Sequence, residues 1–377
     1  MKKKALSGLT LTFFCTAGTG LKTWAESGSL ERELELYRRL ARNLKRVNLV
    51  SYGGAEDIPP ARKFPELKVL PARWYPRQYL TASYLALRYC PQLLATDILK
   101  TNQIRGAQVA VWLKKVFRKK LIVRCGYLHS SLTRKRAQED KWVREAVSLE
   151  RKAFAAADIG LVTTTWQRDM VVGDYGLNPG KIRVVPNYVL TDVFKPREGA
   201  QKKYDLAFVG RGESEKNLDS LFKALQFLNT GGKNVSLLLV GGCCQSDETR
   251  RQAKESGLDI HFQGNVPHLD LPNVLNQARI FVLPSHFEHH PKVLLEAMSC
   301  AMPVIGTRVA GIKEEIEHRK TGLLCETDYR SIAEAVDLLL ADSDLQKTLG
   351  AKAREYVRKN YDIGRILDLE LEIIKEL

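Results

Sequence analysis

The chain has 377 residues, 44% apolar and 27% charged. This is the balance of a soluble globular protein too long for one ordinary core and long enough for two. Its net charge of +16 is uneven, because residues 1–190 hold 34 Lys and Arg against 15 Asp and Glu while the remainder holds 25 against 28. Seven cysteines with no Cys-x-x-Cys spacing read as reduced, mostly buried thiols of a cytosolic protein and argue against a metal cluster.

The amino terminus, Met1-Lys2-Lys3-Lys4 followed by an uncharged run from Ala5 to Leu21, has the outline of a secretory signal. That run holds three Gly and four Thr, has no convincing small-x-small cleavage site and is short for a membrane span. It reads instead as a β-prone strand over 9–14 and a glycine-rich turn, Ala17-Gly18-Thr19-Gly20, with a signal peptide as the alternative. A helix over 29–43 follows, carrying Leu30, Leu34, Tyr37 and Leu40 at core spacing.

Strands are then expected at 49–51, 69–70, 97–101, 121–124, 159–163 and 182–185, with helices at 78–90, 107–117 and 135–156. This alternation predicts a parallel, doubly wound sheet. Basic residues are densest at Lys114-Lys115, Arg118-Lys119-Lys120 and Arg134-Lys135-Arg136, near the aromatic and apolar segment 74–94. Such a surface attracts anionic partners, of which an anionic membrane surface is preferred here, unless it is merely solvated. Pro196 and Gly199 break the pattern and mark a linker at 191–201. A second series repeats the scheme, with strands at 204–209, 235–240, 260–262, 281–283 and 303–306 and helices at 218–228, 247–256, 271–277 and 291–300. The expected domains are thus 1–190 and 202–358, followed by a terminal helical segment, 359–377.

The most informative stretch is FVLPSHFEHHPKVLLEAM, residues 281–298. A short apolar strand ends at Pro284-Ser285, a polar loop follows, and Pro291 opens an apolar helix. Open α/β sheets bind ligands at such strand–loop–helix junctions. The amides of Lys292, Val293 and Leu294 at the helix start suit an anion, and Glu288 and Glu296 place two carboxylates around it. An anionic ligand with hydroxyls on both sides fits best.

Glu288, seven residues, then Glu296-Ala297-Met298 and Pro303-Val304-Ile305-Gly306 resemble the donor-site signature of retaining glycosyltransferases of family 4, which adopt the GT-B fold. Upstream, Gly210-Arg211 with Lys216 resembles the family's element in which an Arg and a Lys five positions later clasp the diphosphate of a nucleotide sugar. Val266, and Gly311 with Glu314 and Glu315, fall in the family's order. The resemblance covers residues 181–340 well and the first half more thinly. It implies two doubly wound Rossmann-like domains facing across a cleft, the nucleotide sugar held by the second, a glycan or lipid-linked glycan acceptor by the first, and a last helix crossing back to the first domain.

Negative charge develops on the departing phosphate in such a transfer, and Arg211 and Lys216 can meet it without a metal or cofactor. By resemblance Glu296 takes the ribose hydroxyls, Glu288 takes hydroxyls of the donor sugar, and Gly210 allows close backbone approach. The pair His289-His290 departs from the family's commonest form, and one of the two, His290 for preference, is placed in the sugar pocket. Many members carry a His after the strand here placed at 121–124. Cys125-Gly126 occupies that position, so either Arg124 or His129 meets the role or no side chain is required there, and the Gly18-Thr19-Gly20 amides are placed on the acceptor side. The lone Asp-x-Asp, Asp342-Ser343-Asp344, reads as a helix N-cap.

The implied activity is retaining transfer from a nucleoside-diphosphate sugar into a cell-surface polysaccharide or lipopolysaccharide, in the cytoplasm or peripherally on the inner membrane face. A nucleotide-sugar epimerase or hydrolase is the alternative. A non-catalytic basic binding protein ranks lower, and nucleic acid is not expected as a partner, since no recognised motif for it is present.

Overall fold

The structure, a computed structural model, describes residues 5–135 and 139–377. The Lys2–Lys4 run and Arg136 of the third basic cluster lie outside the described residues. The chain forms two compact units, residues 1–186 with 366–377, and residues 187–365. The first crossing of the chain falls at Asn187, ahead of the linker expected at 191–201, and the second falls inside the last helix, Ile363–Glu376.

In the first unit, strands β1 (Thr10–Phe14), β2 (Arg46–Ser51), β3 (Leu67–Pro71), β4 (Ile98–Thr101), β5 (Lys120–Cys125), β6 (Ile159–Val162) and β7 (Ile182–Val184) form one parallel sheet in the order 3-2-1-4-5-6-7. The amino-terminal run is therefore the central strand, and all five of its residues are buried. Its buried Thr12 is satisfied by neighbours: the hydroxyl lies 2.6 Å from that of Thr96 and accepts from Asn48 Nδ2 at 3.0 Å.

Several elements differ from the sequence reading. A short helix, Leu21–Glu26, precedes Leu30–Ala41, the helix expected at 135–156 is found at Asp140–Ala156, and a further helix, His129–Lys135, stands ahead of it. The helix Thr165–Tyr175 was not anticipated, although Thr164 and Gln167 cap it reciprocally.

The second unit holds β8 (Tyr204–Val209), β9 (Leu237–Val240), β10 (Ile260–Phe262), β11 (Ala278–Leu283), β12 (Val304–Thr307) and β13 (Leu323–Cys325), all parallel. Their spatial order is β10-β9-β8-β11-β12-β13. Buried strands such as β9, Leu-Leu-Leu-Val, need apolar residues on both faces because helices cover both sides of the sheet. In each sheet the winding reverses between the first and fourth strands, β1 and β4 or β8 and β11. The loops leaving those carboxyl ends diverge and open a crevice.

Candidate active site

In the second unit both sequence motifs emerge at that reversal. The chain leaves β8 through Gly210-Arg211 and a 3-10 turn, Ser214–Lys216. It leaves β11 through Pro284, Ser285 and the loop to Glu288. Asn217 ties the two loops: its backbone is left-handed (φ 56°), and its side-chain amide donates to the carbonyls of Pro284 at 2.9 Å and Thr327 at 2.8 Å. A second tie is the His286 N–H, which donates to the Glu215 carbonyl at 2.8 Å.

The pinned loops bring Lys216 and Glu288 together. Lys216 Nζ lies 2.6 Å from Glu288 Oε1, an oxygen that also accepts from the Ser285 hydroxyl at 2.8 Å. Arg211 is elsewhere: its side chain is 78% exposed and lies 3.2 Å from Glu213. The glycine before it has a packing reason. A Cβ on Gly210 would stand 2.9 Å from the Phe208 ring, and one on Gly241 (φ +98°) would stand 2.9 Å from the Gly210 carbonyl. The first two strand–loop junctions of this sheet can meet only without side chains.

The helix after the loop runs Lys292–Ser299, with Pro291 as its extended N-cap residue and not its first helical one. The three-amide anion site expected there is reduced, because the Leu294 N–H turns back to the Pro291 carbonyl at 3.2 Å. Lys292 and Val293, both half-buried, occupy the first turn. Glu296 is buried about one turn further along the helix, its Oε1 2.8 Å from Nε2 of the buried His268. Sequence reasoning stopped two residues short of His268, at the half-buried Val266 in the loop after β10.

His290 is buried and engaged by protein partners: Nδ1 accepts from the Asn187 N–H at 3.3 Å and Nε2 lies 3.1 Å from Glu315. The loop carrying Glu288 and His290 rests on Gly311, where a Cβ would come within 2.4 Å of the Glu288 carbonyl and 2.3 Å of the His289 carbonyl. This explains the glycine three residues before Glu314.

In the first unit, the loop after β1 is held by Asp57. Its carboxylate accepts from the Lys22 N–H at 3.0 Å and the Gly53 N–H at 2.8 Å, and a Cβ on Gly20 would stand 2.5 Å from it. Of the expected loop amides, that of Thr19 is spent on the Thr16 carbonyl at 2.9 Å. Gly18 is left-handed (φ +71°) and exposed.

Arg124, the next-to-last residue of β5, is half-buried, its guanidinium reaching the Asn102 carbonyl at 3.5 Å after β4, and His129 starts the helix His129–Lys135. The second residue of that helix, Ser130, donates its N–H and hydroxyl to the fully buried Glu150, at 3.0 and 2.7 Å, and Tyr175 donates to the same carboxylate. Glu150 thus fixes the turn that carries His129. Burial, reinforced by the Glu150 charge, pushes the Cys125 thiol well above its ordinary range, so it is no ready nucleophile.

Asp342 is the N-cap expected of it, accepting from the amides of Asp344 at 3.1 Å and Leu345 at 2.8 Å. Among the described residues no three His, Cys, Asp or Glu side chains converge as metal ligands.

Two family models match in succession, glycosyltransferase family 4 over residues 33–193 and glycosyl transferases group 1 over 191–356. The chain belongs to glycosyltransferase family 4. Among curated relatives it is 29% identical over 268 residues to the alpha-maltose-1-phosphate synthase of Mycolicibacterium smegmatis, covering 64% of this chain and 67% of that one. It is 30% identical over 173 residues to the capsular polysaccharide biosynthesis glycosyltransferase CapM of Staphylococcus aureus, covering 44% of each. Such matches span between about half and two thirds of the relatives' own length. HepE of Anabaena, solved in complex with UDP-glucose, shares the fold at a TM-score of 0.79 and 17% identity over 98% of this chain and all of that one.

The family 4 assignment rests on both halves. The group 1 match contains every proposed donor residue from Gly210 to Glu296, and the family 4 match contains Arg124 and His129 but begins after the Gly18–Gly20 loop. Two Rossmann-like units of this order are the GT-B building blocks.

Proposed function

We propose that the protein transfers a glycosyl group from a nucleoside-diphosphate sugar, with retention of anomeric configuration, to a glycan or glycolipid acceptor in cell-surface polysaccharide or lipopolysaccharide synthesis. The observation that carries this reading is the Lys216–Glu288 contact at the crevice of the second sheet. It puts a fixed cation and a hydroxyl-accepting carboxylate side by side, the pair a sugar diphosphate requires. The bond from the anomeric carbon to the diphosphate breaks with its electron pair going to phosphate. The acceptor oxygen bonds to the same face of that carbon, and its proton passes to the departing phosphate.

Lys216, joined by Arg211 swinging from Glu213, compensates the developing charge, and no metal or cofactor is assigned to that task. Glu296 takes the ribose and Glu288 the sugar hydroxyls. The acceptor is assigned to the first unit, at the loop Gly18–Gly20 with Arg124 and His129, in the cytoplasm or on the inner face of the membrane.

HepE was solved with UDP and with UDP-glucose, which makes uridine donors the first to test. Purified protein is screened for thermal stabilisation by UDP, GDP, ADP and their sugars, where a ligand at a hundredfold its dissociation constant adds about 2.7 kcal/mol. The matching sugar donor is then supplied with and without lipid-linked acceptors, in the presence of EDTA. Stabilisation by one nucleotide and acceptor-dependent transfer are expected. Donor consumed equally without acceptor would replace transfer by hydrolysis or epimerisation.

A further inference from the structure

The first unit carries a surface whose charge and apolarity the donor chemistry does not use. Between residues 67 and 138 the sequence has fifteen Lys and Arg and one acidic residue, Asp97. That lone carboxylate is occupied, accepting from the Thr10 N–H at 2.9 Å. Within this stretch the helix Gln78–Arg88 buries Thr81, Ala82 and Leu85 and packs on the helix Ala107–Phe117. Its other side is apolar too: Leu80, Tyr84 and Leu87 stand at helical spacing i, i+4 and i+7, with Leu80 exposed and Leu87 84% exposed.

The apolar side continues onto the next helix, Cys90–Leu94, where Leu94 is 61% exposed. The Leu94 carbonyl accepts from Lys119 Nζ at 2.7 Å, so the basic cluster after the helix Ala107–Phe117 abuts this strip. Basic side chains flank it throughout, with Arg77 beside Tyr79, Arg88 beside Tyr89, and Lys115 and Arg118 exposed next to the exposed Val116.

We propose that this strip is a docking surface for a lipid bilayer with anionic headgroups: Leu80, Leu87 and Leu94 enter the headgroup boundary while Arg77, Arg88, Lys115, Arg118 and Lys119 pair with lipid phosphates. Charge complementarity selects an anionic partner, and a row of projecting leucines flanked by basic side chains matches the apolar-plus-anionic boundary of a bilayer, whereas single-strand binders present aromatic side chains for bases to stack on. A helix packed through one side that exposes Leu80 and Leu87 on the other presents the kind of apolar surface that marks an interaction site, membranes included. No helix among the described residues is long and apolar enough to cross a membrane, so the contact is peripheral. The inference deepens the glycolipid reading of the acceptor and depends on it only for its purpose.

The test is co-sedimentation of the full chain with vesicles of equal parts phosphatidylcholine and phosphatidylglycerol, against phosphatidylcholine alone, with neither donor nor acceptor present. Binding to the anionic vesicles is expected, weakening with salt, with each basic residue near the surface contributing on the order of fivefold. The variant Leu80→Glu/Leu87→Glu should lower partition by at least about tenfold. Phe227→Glu, an exposed aromatic of the second unit, should leave it unchanged. Both substitutions alter exposed side chains, and circular dichroism melts check that the fold survives.

Equal binding to both vesicle types, none to either, or an undiminished double variant overturns the proposal, as does tighter binding to RNA that the double variant retains. Because the assay contains no sugar, failure here leaves the transfer reaction untested by it and intact.

Discussion

Lys216 Nζ and Glu288 Oε1 lie 2.6 Å apart although 72 residues separate them, because Asn217 and the Glu215 carbonyl lash the loop after β8 to the loop after β11. On the proposed reading, the phosphate of a bound sugar diphosphate would compete for the ammonium and a sugar hydroxyl for the carboxylate. Lys216→Ala should lower kcat by about 10²–10³-fold, the range for removal of one group that meets developing charge. It should also abolish the thermal shift with nucleoside diphosphate while leaving the far-UV spectrum intact. Glu288→Gln should keep nucleotide binding and lose turnover of the sugar nucleotide. Wild-type turnover by Lys216→Ala would remove the pair from the mechanism.

Behind that pair, Glu296 is aimed by His268. A hydrogen bond to a charged group is worth about 1.5–3 kcal/mol, so His268→Ala should weaken nucleotide binding by about 10–100-fold as the carboxylate loses its support. His268→Gln, which can still donate, should recover most of the affinity. Isothermal titration with the stabilising nucleotide measures both variants. An unchanged dissociation constant in His268→Ala would mean that Glu296 is oriented by the helix Lys292–Ser299 alone.

What could be read from residues in order was what depends on local spacing. Leu237–Val240 is apolar throughout and could be little but a buried strand. Glu288 and Glu296 are separated by an interval that a loop and a helix span in a fixed way. Gly210 and Lys216 follow β8 within one turn of chain. The partners brought in from far along the sequence were not readable: His268 for Glu296, Asn187 for His290, Glu150 for the turn at His129. Each is a polar residue in an unremarkable local setting whose meaning appears when the sheet places it. The seven-residue helix His129–Lys135 and the three-residue β13 were missed because short elements leave too few periods to detect.

Lys100 and Glu370 show the same distance effect in the fold itself. Both are fully buried, Nζ to Oε1 is 2.5 Å, and the pair fastens the final helix to β4 within the first unit. Burial pulls the Lys100 pKa below its ordinary value, and the Glu370 charge offsets part of that. Removing one partner strands the other: Lys100→Met should cost about 3–5 kcal/mol, while Lys100→Met/Glu370→Leu should recover most of it. Urea denaturation of the three proteins gives the comparison. A single variant as stable as wild type would show that Glu370 finds water or another donor.

Acid sensitivity should have an identifiable contributor at the start of β6. Asp158 Oδ2 accepts from Lys114 Nζ at 2.7 Å and from the Leu121 N–H at 2.8 Å, with Lys120 at 3.8 Å from Oδ1. Burial alone would push this carboxyl up; the lysine and the backbone donor outweigh it and hold it below its ordinary 3.8. The folded state therefore binds fewer protons than the unfolded state between the lowered value and 3.8. The resulting stability is fully present above 3.8 and is lost as pH falls through that window. Asp158→Asn should be less stable than wild type near neutrality, and the gap between them should narrow as pH drops below 3.8. Urea midpoints measured at neutral pH and across the acid limb read the effect, and a gap constant with pH would assign the loss to packing and not to the carboxylate's charge.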